Sequence, residues 1–254
     1  MASPRYTLNI TEEDLKPDEP IVLTKEEKRE NWLHYHKWHI AFAVFMLVLV
    51  VWFIHDMVTR VLPDYQFAIV TDKYINSAAM DSLEDALSAE LEDVNGDGQV
   101  EVTVVHYRLH YEEDFDRLDL SNKTYTEMQM ADEQRISTDF AVSESLIFIT
   151  DCFPGLQSQV PLFGFLEDPY AYPAEDELDD YDRMTINWTD SAFLSGLELP
   201  MDVVDAEAGT STPAQEFFSD FQVCMRTLFD HTDEDLTTRF GGCVRLMRRI
   251  RQEA

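Results

Sequence analysis

The chain has 254 residues, 45% of them hydrophobic, with 19 Lys/Arg against 50 Asp/Glu for a formal net charge of −31. So large an acidic excess repels phosphate backbones and anionic headgroups, which argues against nucleic acid and acidic membrane surfaces as partners. Three cysteines, Cys152, Cys224 and Cys243, are too few for a disulfide framework. Either Cys224 and Cys243 close one bridge or all three stay as buried thiols.

The first element is the most apolar. Residues 40–54 (IAFAVFMLVLVVWFI) contain no polar side chain, whereas a soluble helix keeps a polar face. Fifteen residues rise only about 22 Å, but residues 38–58 rise about 31 Å, enough to cross a hydrocarbon core of about 30 Å. Trp32, Tyr35 and Trp38 before it and Trp52 near its end suit interfacial anchoring. Lys25, Lys28, Arg29 and Lys37 precede the span, and only Arg60 and Lys73 lie close after it. That bias predicts a cytoplasmic polar tail (1–37), an uncleaved signal-anchor helix (38–58) and an extracytoplasmic domain (64–254). Lipid is thus the first partner. The part beyond residue 60 carries 12 Lys/Arg and 41 Asp/Glu, a net of −29, and is long enough for one domain with its own core.

Within that domain the run 65–71 (YQFAIVT) predicts a buried strand. Asn76 offers a helix cap, and Met80, Leu83, Leu87 and Leu91 recur at helical spacing to about residue 92. A β-branched alternation over 100–107 predicts a second strand, a Met-containing polar stretch over 124–140 a helix, and 145–150 a third strand. Beyond it, 153–166 reads as a helix interrupted by Pro154 and Pro161, 174–183 as an acidic loop and 205–214 as a small-residue linker. Residues 222–229 predict a strand. The last helix runs over 232–252, weakened or kinked at Gly241 and Gly242. Strands alternating with helices, and apolar on both faces, predict an α/β fold: a three-layer arrangement around a mostly parallel sheet.

The connection from the first helix to the second strand carries Asp93-Val94-Asn95-Gly96-Asp97-Gly98-Gln99-Val100-Glu101. Oxygen side chains at alternate positions of a tight turn converge on one point, and calcium takes six to eight hard oxygens. Asp93, Asn95 and Asp97 would supply side chains, Gln99 its carbonyl and Glu101 a further oxygen. The twelfth position is Val104, and a strand follows where an EF-hand has a helix, so this is no EF-hand. A bare turn explains the same residues, since Asn, Asp and Gly all tolerate left-handed backbone.

Thr71-Asp72 and Thr150-Asp151 end the first and third predicted strands, at the edge where open α/β sheets bind ligands. They are candidate ligand-binding residues for a small solute, or equally caps of the helices that follow. His106 and His110 share a strand face but lie about 13 Å apart, too far to share a metal. His34, His36 and His39 decorate the start of the span, and Arg245, Arg248, Arg249 and Arg251 make a basic end to the last helix. No nucleophile elbow or other catalytic framework surrounds Ser, His or Asp, so the chain is read as non-enzymatic.

The runs YQFAIVTDKYI, DVNGDGQVEVTVVHY and SESLIFITD together resemble a group of single-pass membrane proteins of Gram-positive bacteria. The exported domain of that group is similar to one lobe of an extracytoplasmic solute-binding protein. The resemblance covers about residues 64–151 and implies an opening βαβαβ unit with a cation-holding Asn-Gly-Asp-Gly loop. The expectation is therefore a membrane-anchored extracytoplasmic binding or interaction module with structural calcium, its partner an extracellular protein or small solute. The alternatives are a transmembrane sensor or accessory subunit, and an exported hydrolase.

Overall fold

The computed structural model describes residues 24–59, 63–109, 123–205, 209–228 and 234–252. The chain divides into two units, Met1–Arg60 and Val61–Ala254, each with its own internal packing.

The first unit contributes one continuous helix, α1 (Lys25–Thr59). It begins well before the span predicted at 38, inside the stretch read as a polar tail. The reason is a capping box: Glu27 N–H donates to Thr24 Oγ1 at 3.3 Å, while Thr24 N–H donates to Glu27 Oε2 at 2.8 Å. A helix of 35 residues is about 52 Å long, so it outreaches a bilayer core. Its apolar stretch is not buried among the described residues: Phe42, Phe45, Leu47, Trp52 and Phe53 are all exposed. One helix of this chain is therefore long and apolar enough to be a membrane span or signal anchor.

The second unit is α/β. Strand β1 (Tyr65–Thr71), helix α2 (Ser77–Glu90), strand β2 (Val102–Arg108), helix α3 (Lys123–Val142) and strand β3 (Ile147–Thr150) follow the predicted order. Then come α4 (Phe153–Gln159), α5 (Tyr181–Met184), β4 (Thr185–Asn187), α6 (Ala192–Ser195), β5 (Asp202–Asp205), β6 (Thr210–Pro213), α7 (Ala214–Phe217), β7 (Gln222–Met225) and α8 (Glu234–Gln252). The main sheet has the order β2-β1-β3-β7-β4. β1 pairs in parallel with both β2 and β3, whereas β7 is antiparallel to both β3 and β4. The sheet is thus mixed. The parallel part is the βαβαβ unit, where each return strand needs a helical crossover; β7 arrives by a long irregular route and enters the other way.

The pleat sorts each strand's side chains into two cores. Tyr65, Phe67 and Ile69 of β1, Ile147 and Ile149 of β3 and Val223 and Met225 of β7 pack with Leu83 and Leu87 of α2 and Phe240, Val244 and Met247 of α8. The intervening Ala68, Val70, Phe148 and Cys224 pack with Ile136 and Phe140 of α3 and Phe153 and Leu156 of α4. This alternation settles the cysteine question. Cys224 belongs to one core and Cys243 to the other, and of the two readings it is the buried thiols, not a Cys224–Cys243 bridge, that the fold adopts. Burial pushes the Cys224 thiol up and that of Cys243 up to about 12, so neither is a nucleophile at neutral pH.

Three other expectations change. The 205–214 stretch is no linker: it contains β6, which pairs antiparallel with β5, and Gly209 just before β6 sits at φ +67°. The predicted strand 222–229 ends at Met225, and Phe229 lies outside the described residues, as do His110 and Thr232. Helix α8 runs through both glycines without a break. A Cβ at Gly242 would meet Val94 Cγ2 at 2.7 Å, so this glycine is a contact surface for the loop below.

Candidate functional site

The 93–101 loop is built from the backbone inward. Asp64, wholly buried just before β1, accepts Val94 N–H at 2.7 Å and Asn95 N–H at 2.9 Å on Oδ1. Its Oδ2 accepts Glu101 N–H at 3.0 Å, and its own N–H donates to the Glu101 carbonyl at 2.9 Å. One carboxylate therefore grips both ends of the turn. Inside that grip Asp93 accepts Gly96 N–H at 2.6 Å on one oxygen and Gly98 N–H at 2.8 Å on the other. Asn95 Oδ1 accepts Asp97 N–H, and Asp97 Oδ1 accepts Gln99 N–H, both at 2.8 Å. These are successive Asx turns, and Gly96 and Gly98 sit at φ +78° and +86°, where a side chain would be strained.

Asp93, Asn95 and Asp97 each place an oxygen on a backbone amide of the turn. Gln99 and Glu101 each contribute an N–H to the turn. Among the described residues no three His, Cys, Asp or Glu side chains gather as a metal-holding group. A cation here would also need the Asn95 side chain and the Gln99 carbonyl. Asp64 is the residue that sequence reasoning missed. Its partners lie 30 to 37 residues away, so no local spacing marks it.

Val94 at the start of the turn packs onto Gly242 of α8. Gly242→Ala therefore sets two effects against each other. Helix propensity favours Ala by up to about 1 kcal/mol, whereas forcing a methyl against Val94 costs about 1–3 kcal/mol. The expected result is a net loss of stability in a thermal melt. A gain would show that the loop yields freely.

At the carboxyl ends of the strands, Thr71 and Asp151 meet. The Thr71 hydroxyl donates to Asp151 Oδ2 at 2.8 Å, and Lys73 Nζ lies 3.2 Å from the same oxygen. Lys73 also sits 5.2 Å from the Phe221 ring centroid. Thr150 Oγ1 instead accepts Cys152 N–H at 3.2 Å, and the Asp72 carbonyl accepts Arg108 Nε at 3.0 Å. The four candidate residues are engaged mainly in closing turns and linking β1 to β3. Asn76 departs from its expected role. It makes no side-chain cap to α2, and its Oδ1 accepts Val204 N–H of β5 at 2.9 Å, tying β5 to the helix.

His106 on β2 is largely buried, and its Nε2 has no hydrogen-bond partner among the described residues. Burial pushes its pKa down to about 4, opposed by Asp132 and reinforced by Arg108 and Arg135. The fold therefore holds neutral imidazole, while the unfolded chain titrates near 6.5. Stability from this group is complete above about pH 6.5 and drains as pH falls toward 4, by at most about 3 kcal/mol. A His106→Gln variant is expected to lose less melting temperature than the parent between pH 7 and 4.5. Parallel losses would contradict this.

A further concavity lies elsewhere. A groove of about 940 Å³ runs along the outer face of α2 and is closed on its far side by residues 192–201. Ala78, Ala86 and Ala89 keep its helical wall low, while Asp81, Asp85 and Glu198 face it as exposed carboxylates. Arg249 of α8 closes one end, where it bonds Glu90 and lies 4.5 Å over the Phe193 ring. Sequence reading did not single out this groove. Its only local sign was Asp81 and Asp85 one helical turn apart on a face of small residues.

Comparison with protein-family models, with curated proteins and with solved structures returns no match.

Proposed function

We propose that the chain is a membrane-anchored extracytoplasmic binding or interaction module, held by residues 38–58 with its N-terminus in the cytoplasm. The observation that carries the reading is α1. A helix with an apolar stretch long enough to span, none of it buried in the protein, has lipid as its natural surroundings. The Lys/Arg excess before the span supports the orientation. The two sheet-face cores support a three-layer α/β domain, and the parallel β2-β1-β3 portion supports likeness to a solute-binding lobe. Binding is the favoured role because the groove along α2 combines a low apolar wall with converging polar groups.

Calcium at the 93–101 turn belongs to the proposal as a structural ion, held by Asp93, Asn95, Asp97, Gln99 and Glu101. In an exported domain a weak site suffices. Titration calorimetry of the full chain in detergent, after chelation, tests it beside an Asp93→Ala/Asp97→Ala variant. Saturable heat and a raised melting temperature, both absent in the variant, support the ion. No heat in the parent reduces the loop to a turn pinned by Asp64.

A further inference from the structure

We propose that the α2 groove docks a basic amphipathic segment of a partner protein, an inference that rests on the reading of the chain as an interaction module. Three observations converge on this occupant. The first is charge. Asp81, Asp85 and Glu198 line the groove with no basic partner among the described residues, and Arg249, the groove's basic residue, is already engaged by Glu90. Like charges are crowded on α2: burial, and then Asp81, Asp85 and Glu101, push the Glu84 carboxyl upward. A partner bringing Lys or Arg relieves that repulsion, whereas an acidic partner adds to it.

The second is shape. The small side chains on α2 leave a channel along the helix, and Met201 and Leu199 offer apolar surface opposite, Met201 half-exposed. A channel that follows a helix fits a polypeptide segment, in the manner of a helix laid in a groove. The third is an orphaned polar group. Ser82 lines the groove, is only 7% exposed, and its hydroxyl has no hydrogen-bond partner among the described residues. A buried hydroxyl left unpaired is costly, and it marks a polar point in the wall of the groove. Arg249 already displays the recognition chemistry, with its guanidinium on a carboxylate and its face over Phe193.

The test uses the full chain in detergent micelles at physiological salt. The probe is a fluorescein-labelled peptide of repeated Leu-Ala-Ala-Arg units, with the Leu-Ala-Ala-Glu peptide as its control, read by anisotropy. Because a chain of net charge −31 attracts any cation, two charge-matched variants carry the decision. Asp81→Lys/Asp85→Lys alters the groove, and Glu175→Lys/Asp176→Lys alters an exposed acidic turn elsewhere by the same amount. Saturable binding of the Arg peptide alone is expected, weakened about tenfold or more in the groove variant and less than about twofold in the distant one. Ala86→Trp, which fills the channel without changing charge, is expected to abolish binding. Equal weakening by the two charge variants, undiminished binding to Ala86→Trp, or no saturable binding overturns the proposal. Any of these in a chain that still resides in the membrane leaves the anchored module standing. Loss of membrane residence would remove the reading beneath it.

Discussion

Asp139→Ala is expected to destabilise the α/β unit by about 4 kcal/mol, a fall in melting temperature of roughly 8–16 °C for a domain of this size. Asp139 is 2% exposed and anchors a buried polar network. It accepts the Tyr107 hydroxyl at 2.7 Å, Ser145 N–H at 2.7 Å and the Ser145 hydroxyl, which in turn accepts Gln66 Nε2 at 3.1 Å. Burial, and then Asp139 itself, push the Tyr107 hydroxyl pKa well above its ordinary value, so tyrosine is always the donor. Burial pushes the pKa of the Arg226 guanidinium down, opposed by the same carboxylate, and Arg226 Nη1 bonds the Phe140 carbonyl at 3.1 Å. Removing Asp139 therefore strands three donors and an uncompensated buried charge together. Tyr107→Phe removes one donor and leaves Asp139 its other partners, so about 1 kcal/mol is expected. Thermal melts of the two variants and the double variant check this: the Tyr107→Phe effect should nearly vanish once Asp139 is gone. Additive losses would contradict a shared network.

Asp64→Ala is expected to cost about 3 kcal/mol, or roughly 6–12 °C, through the backbone amides that its carboxylate accepts. The loss comes from three backbone amides, those of Val94, Asn95 and Glu101, left without their acceptor beneath a turn. Asp64→Asn keeps the shape but turns one acceptor into a donor facing an N–H, so it should recover only part of the loss. The variant is also expected to raise amide hydrogen exchange across 93–101 while leaving β3 protected. Uniform exchange, or a melting temperature within about 2 °C of the parent, would show that the turn holds itself.

The two variants mark the boundary of what local sequence reveals. Strands β1 and β2 and helices α2 and α3 were legible because each is long enough to display its period, the four-residue β3 because its run is continuously apolar, and β1 was predicted at its observed limits. The second half was not. Strand β4 has three residues and α5, α6 and α7 four each, and such pieces take their form from neighbours rather than from pattern. The pairing of β5 with β6 hid in a stretch of small residues, marked only by Gly209 just before β6. Long-range polar contacts were equally silent. Asn76 looks like a helix cap in sequence, yet its oxygen serves an amide 128 residues away. Gly242 looks like a weak point and is instead where α8 admits Val94. Of the candidate site, the Asx turn was legible in Asp93, Asn95 and Asp97. The carboxylate that pins it and the groove along α2 exist only once distant segments are folded together.

The account stands most directly on the side of the membrane where the α/β domain lies. Asp176→Cys puts a thiol on the exposed face of that domain and Lys28→Cys puts one near the start of α1, whereas native Cys224 and Cys243 are buried. Intact cells expressing each full-length variant would be treated with a membrane-impermeant maleimide, before and after permeabilisation. The account predicts labelling of Asp176→Cys in intact cells and of Lys28→Cys only after permeabilisation, with both chains in the membrane fraction after an alkaline wash. Labelling of Lys28→Cys alone in intact cells, or recovery of the chain in the soluble fraction, would contradict it.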